Sequence, residues 1–158
     1  MKKTVYIETT IPSFYFNERS SAESLAMQQW TKDWWDYHSN QYILQTSVAV
    51  YEELSLIPNT EKRENALKML KNINFLGIVE GIEDIVTVYI KNKIMPGNVV
   101  GDAIHLAIAS YYKCDFLLTW NCKHLANANK YEHIKFINNK LGLYVPFLTT
   151  PLQLIWSK

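Results

Sequence analysis

The sequence predicts an α/β fold, a three-layer α/β/α domain around a mainly parallel central sheet, and three observations lead there. Short apolar runs rich in Val, Ile, Tyr and Phe alternate with longer stretches of helical periodicity, as in strands joined by helical crossovers. Those runs are continuous rather than alternating with polar residues, which marks strands covered on both faces. Acidic or polar residues end the runs or open the helices. Val5-Tyr6-Ile7 leads into Glu8-Thr9-Thr10, Val48-Ala49-Val50-Tyr51 into Glu52-Glu53-Leu54, and Phe116-Leu117-Leu118-Thr119-Trp120 stops at Asn121.

In chain order, residues 4–8 form a first strand ending at Glu8, and Ile11-Pro12-Ser13 is expected to turn the chain. Over residues 20–37, Ala, Leu, Met and Trp recur at helical spacing. Ser21 and Ser24 offer capping groups, and Trp30 and Trp34 share a face at i, i+4. Residues 42–46 read as a second strand, followed by Ser47 as N-cap of a helix that carries Glu52 and Glu53 and ends by Pro58. Residues 60–71 form a charged helix capped by Asn59 or Thr60, with Ala66, Leu67 and Leu70 turned inward. Residues 75–79 read as a strand, 82–93 as an amphipathic helix, and Met95-Pro96-Gly97-Asn98 as a loop. A helix opened by Asp102 is apolar almost all round, which puts it at the centre. A buried strand at 116–120, a short helix at 122–126, a polar helix at 134–140 and a last strand at 144–148 follow. Thr150-Pro151 reads as N-cap and N1 of a terminal helical turn.

With 158 residues and no repeat, linker or low-complexity segment, the expectation is one domain over residues 1–158. Sixteen Lys and Arg against fifteen Asp and Glu leave a net charge of +1, so any nucleic-acid contact must rest on local charge. Cys114 and Cys122 lack metal-ligand spacing and read as reduced core filler. Lys2-Lys3 precedes an apolar run that Glu8 interrupts too early for a signal peptide, and no run nears the ~20 residues of a membrane span. The expectation is a cytoplasmic protein without membrane contact.

Ligands of an open parallel sheet gather at the carboxyl ends of its strands, so distant polar residues can converge there. Glu8 ends the strand expected at the sheet's centre, where an acid is costly unless exposed or paired with a cation. Glu52 and Glu53 point about 100° apart on one helix, so only one can face a shared site; Glu53 is the choice. Asp102 reads as a ligand beside a positive helix end or as a simple N-cap, and Asn121 as a ligand, a water holder or a turn residue. Converging carboxylates repel one another unless a hard cation such as Mg²⁺ or Mn²⁺ joins them. His105 shares the face of Asp102 at i, i+3, and Lys123 and His124 lie close enough in sequence to supply local positive charge. Thr9, Thr10 and Thr119 either orient water or phosphate or satisfy backbone groups. Trp30, Trp34 and Trp35, with Phe14, Tyr15 and Phe16, are either core or a partner surface.

Tyr6-Ile7-Glu8-Thr9-Thr10-Ile11-Pro12-Ser13, Glu53-Leu54, Asp102-Ala103-Ile104-His105-Leu106-Ala107 and Leu118-Thr119-Trp120-Asn121, in this order, resemble the PIN-domain family. The resemblance spans nearly the whole chain. It implies a metal-dependent ribonuclease of the VapC toxin type, with Mg²⁺ or Mn²⁺ held by Glu8, Glu53 and Asp102, and with Asn121 at a fourth catalytic position. It also implies an RNA substrate, a small antitoxin partner and a homodimer. Two departures stand out: Glu8 where the family usually has Asp, which is expected to move the carboxylate outward, and neutral Asn121 where a further Asp is common. The second leaves room for one-metal chemistry, or for a degenerate PIN-like domain that binds RNA or protein without catalysis. A different α/β phosphohydrolase acting on small phosphate esters is a further alternative, and the chain has no Gly-rich phosphate loop.

Overall fold

The computed structural model describes residues 1–95 and 100–155. Five strands, β1 (Lys3–Ile7), β2 (Tyr42–Ser47), β3 (Asn74–Leu76), β4 (Phe116–Leu118) and β5 (Phe147–Thr149), make one sheet in the order β3-β2-β1-β4-β5. Every pairing is parallel. The chain fills one side of β1 first, then crosses back to lay β4 against its other side. The switch in direction therefore falls at the carboxyl ends of β1 and β4, where Glu8 and Thr119 stand.

β1 is apolar on both faces because both faces are covered. Its Tyr6 packs into the larger core with Val50, Leu54, Leu106 and Leu117, while Val5 and Ile7 point the other way, against Ile11, Trp34 and Leu118. Among the described residues, seven α-helices supply the two covers: α1 (Thr10–Tyr15), α2 (Ala22–Tyr37), α3 (Val48–Leu54), α4 (Thr60–Met69), α5 (Glu80–Lys91), α6 (Val100–Tyr111) and α7 (Ala128–Lys140). In α6, Ala103, Leu106, Ala107, Ile108 and Ala109 are all buried. A fully buried Leu or Ile contributes about 1.5–3 kcal/mol, so this helix is anchored more firmly than any cap alone could achieve.

Several expectations need correction. Ile11-Pro12-Ser13 does not turn the chain but lies within α1; Pro12 falls in the first turn, where a missing N–H costs nothing. Ser47 precedes α3 but its side chain does not cap it, because its hydroxyl is engaged by Tyr6 instead. Asp102 stands in the first turn of a helix already formed at Val100 rather than at its cap. Residues 122–126 form turns anchored on the Asn121 carbonyl, not a helix, and Asn127 caps a longer α7 than residues 134–140. β5 starts later than residue 144, and Thr150-Pro151 opens a turn rather than a helix. Cys114 is buried but Cys122 is exposed, so only one cysteine is filler. Pro96, Gly97 and Asn98 of the expected loop lie outside the described residues. Among the described residues no helix is long and apolar enough to cross a membrane.

Candidate active site

Glu8 leaves β1 at the centre of the sheet and is 4% exposed. Its Oε1 accepts three hydrogen bonds, from Thr10 N at 3.0 Å, Thr10 Oγ1 at 2.5 Å and Thr119 Oγ1 at 2.7 Å. These bonds draw the longer side chain back into the protein, against the expectation that Glu would reach outward. Burial raises its pKa, and the charge of His105 and the two threonine hydroxyls only partly offset that.

Glu53 comes from the last turn of α3, where Leu54 is locked into the core beside it. Its side chain is 42% exposed, and Oε1 accepts from Thr9 Oγ1 at 2.5 Å and meets His105 Nε2 at 2.5 Å. Burial works against its charge, but His105 and Thr9 outweigh it and hold the pKa below the ordinary value. Glu52, one residue back, is exposed, as expected of a solvated charge. A Cβ on Gly101 would stand 2.9 Å from Glu53 Oε2, so the absence of a side chain there is what lets α6 approach Glu53.

Asp102 is half-buried at the start of α6. Its pKa is raised, chiefly by burial and further by Glu53, against a hydrogen bond from Asn121 and the charges of His105 and His124. The Asn121 Oδ1 already accepts the His124 amide at 3.0 Å, which leaves the carboxamide NH₂ to serve Asp102. The Asn121 carboxamide thus eases the charge on Asp102. Lys123 is exposed, and His124 lies within electrostatic reach of Asp102.

His105 is fully buried at the centre of the group. Its Nδ1 meets Tyr6 Oη at 2.7 Å, and Tyr6 Oη in turn meets Ser47 Oγ at 2.8 Å. Burial disfavours the imidazolium, but the bond to Glu53 and the charges of Glu8, Glu53 and Asp102 prevail, so its pKa is raised. With both ring nitrogens protonated, Nε2 donates to Glu53 and Nδ1 to Tyr6, whose own proton passes to Ser47. Tyr6 itself stays protonated, its pKa pushed well up by burial.

Glu8, Glu53 and Asp102 therefore surround one buried imidazole, with Asn121 beside Asp102. They do not converge on a single point: among the described residues no group of three or more His, Cys, Asp or Glu side chains stands ready to hold a metal ion. Thr9, Thr10 and Thr119 take up the carboxylate oxygens instead. Tyr6, Ser47 and Gly101 were not anticipated from the sequence. A tyrosine in a strand covered on both faces was the available signal, because its hydroxyl must find a partner.

The architecture that carries this group matches solved structures. Over 98% of this chain and 99% of the matched chain, it is similar to VapBC2 from Rickettsia felis bound to a DNA fragment from their promoter, at a TM-score of 0.56 and 13% identity. The fold is PIN-like. FitAcB from Neisseria gonorrhoeae gives a TM-score of 0.53 and 13% identity over 95% of this chain and 99% of that one. At such identity the likeness speaks for the fold, an all-parallel five-stranded sheet flanked by helices. No protein-family model matches the chain, and no curated protein sequence matches it significantly. In the PIN-like frame, Glu8 stands at the carboxyl end of β1, Thr119 and Asn121 follow β4, and Glu53 and Asp102 come from the helices α3 and α6.

Proposed function

We propose that this chain is a metal-dependent endoribonuclease, the toxin of a type II toxin–antitoxin pair, cutting RNA phosphodiester bonds at the mouth between Glu8, Glu53 and Asp102. The observation that carries the reading is the gathering of three carboxylates around buried His105 on a PIN-like fold. Glu8 and Asp102 both have raised pKa values with burial as the largest cause, so added positive charge there would lower the cost of ionising them.

The donor set suits a hard cation in kind, three carboxylates being the oxygen ligands that Mg²⁺ or Mn²⁺ prefers. Glu8, Glu53 and Asp102 would hold it. Such an ion, when bound, supplies Lewis-acid activation of water and offsets charge developing on the phosphate. The chain's own part is positioning. Thr10 and Thr119 fix Glu8, Thr9 and His105 fix Glu53, and Asn121 anchors Asp102. The His105 imidazolium offsets part of the repulsion among the acids and so keeps them ionised side by side.

On this reading the protein acts in the cytoplasm as a homodimer restrained by a small antitoxin. Support comes from the sequence resemblance and from the likeness of fold to VapBC2 and FitAcB. A second reading, a degenerate PIN-like domain that binds RNA or protein without catalysis, is favoured by the unconverged ligand set and by the neutral Asn121.

Incubating a mixed RNA pool with wild type and Asp102→Asn, each in Mg²⁺, Mn²⁺ or EDTA, separates the two. The nuclease reading expects cleavage with metal, none in EDTA, and a fall of roughly a hundredfold or more in a folded Asp102→Asn protein. Intact RNA under every metal condition would hand the case to the binding domain.

A further inference from the structure

A cleft of about 200 Å³ is lined by Thr10, Ser13, Phe14, Asn17, Arg19 and Lys62. Thr10 links it to the carboxylate group, since its hydroxyl also holds Glu8. The cleft contains two cations and no acid. Neither the Arg19 guanidinium nor the Lys62 ammonium has an ion pair or a side-chain hydrogen bond among the described residues. Burial is the main cause that lowers the Lys62 pKa; the charge of Glu18 opposes it, and a smaller repulsion from Arg19 adds to it. Glu18 and Glu61 line the neighbouring hollow, whose wall Lys62 and Asn17 share with this cleft. Two cations without an ion pair among the described residues, lining one cavity with the polar Ser13 and Asn17, are an arrangement that an anion with several oxygens would complete.

One lining residue, Phe14, is aromatic and connects the cleft to further rings. Phe14 stands edge-on to Trp120 at 6.3 Å between ring centroids, and Trp120 stacks on Trp30 at 6.1 Å. Trp120 sits between Thr119, which holds Glu8, and Asn121, which serves Asp102, and its indole N–H is fixed by Thr31 at 2.7 Å. Cations that follow a backbone beside rings that accept bases form the usual pattern of single-strand recognition. An acidic peptide would use the cations and leave the rings idle.

We propose that the Arg19–Lys62 cleft is a phosphodiester subsite that seats single-stranded RNA beside the carboxylates, with a neighbouring base against Phe14 and Trp120. This rests on the ribonuclease reading for its purpose, but its test does not require cleavage. A fluorescein-labelled single-stranded RNA of mixed sequence is titrated with protein in EDTA, across a range of salt concentrations. The titration is repeated with Arg19→Ala/Lys62→Ala and, as a charge control on a remote helix end, with Lys140→Ala. Loss of two phosphate contacts should weaken binding by tenfold or more in the double variant and flatten the logarithmic salt dependence by about 1.4, with Lys140→Ala unchanged. Circular dichroism melting checks that the double variant is folded. Equal binding by wild type and double variant, equal losses in the double variant and Lys140→Ala, or no binding by wild type would each overturn the subsite. RNA bound through Arg19 and Lys62 but never cleaved would sink the nuclease reading and leave the subsite standing.

Discussion

His105 is the residue on which the acids depend, because it supplies positive charge from inside the protein. Its raised pKa means that its contribution to stability is fully present below the unfolded value of about 6.5 and is lost as pH rises through the folded one. Glu53, with a lowered pKa, contributes above its unfolded value of about 4.3 and loses that contribution as pH falls through the folded one. The pair is therefore worth most between those limits. Glu53 is well exposed, so solvent screening trims its share. His105→Gln should cost about 1–3 kcal/mol at pH 5.5, from disrupted buried partners, and less at pH 8.5. Urea unfolding in EDTA at both values checks this, and a cost that grows toward pH 8.5 would contradict it. None of this was readable from the sequence beyond the shared face of Asp102 and His105. The direction of a histidine's pKa depends on which distant acids surround it, and here they come from β1, α3 and α6.

At the scale of elements, the approach of α6 to α3 is decided by Gly101. Alanine there would improve helix propensity by up to about 1 kcal/mol but put a methyl 2.9 Å from Glu53 Oε2. Glu53 is the flexible, half-exposed end of the contact, so it would yield and leave His105. Gly101→Ala should thus keep or slightly raise the melting temperature while RNA cleavage falls on the order of tenfold to a hundredfold. Melting and cleavage measured side by side test the split; a parallel fall in both would mean that Gly101 serves packing. Strand and helix order were legible in the sequence because long apolar or periodic runs carry their own signal. Boundaries were not, where a local bond competed. Pro12 looked like a turn but fits the first turn of α1, whose leading amide Thr10 N is taken by Glu8. Within the aromatic group, Trp34 is core, stacked on Tyr42, whereas Trp30 is 37% exposed over Trp120.

Over the whole molecule, sheet order turns scattered acids into neighbours. Placing β1 between β2 and β4 brings position 8 and the residues after 118 to one edge, and the crossovers set α3 and α6 beside it. Glu8, Glu53, Asp102 and Asn121 could be picked out in the sequence because polar residues beside buried strands and at the start of a buried helix need a reason. That their oxygens would be held by threonines and an imidazole could not, since those bonds span up to 111 positions along the chain. The cleft at Arg19 and Lys62 was equally hidden: the segment that follows α1 meets α4 only in the fold. On the proposed reading Glu8, Glu53 and Asp102 share one bound ion, although among the described residues they do not stand as a preformed metal group. Mn²⁺ binding followed by electron paramagnetic resonance, in wild type and in Glu8→Gln, Glu53→Gln and Asp102→Asn, tests it most directly. Wild type should bind saturably and each folded variant at least tenfold more weakly, since each loses one charged ligand. No saturable binding in wild type, or binding that none of the three substitutions alters, would contradict it.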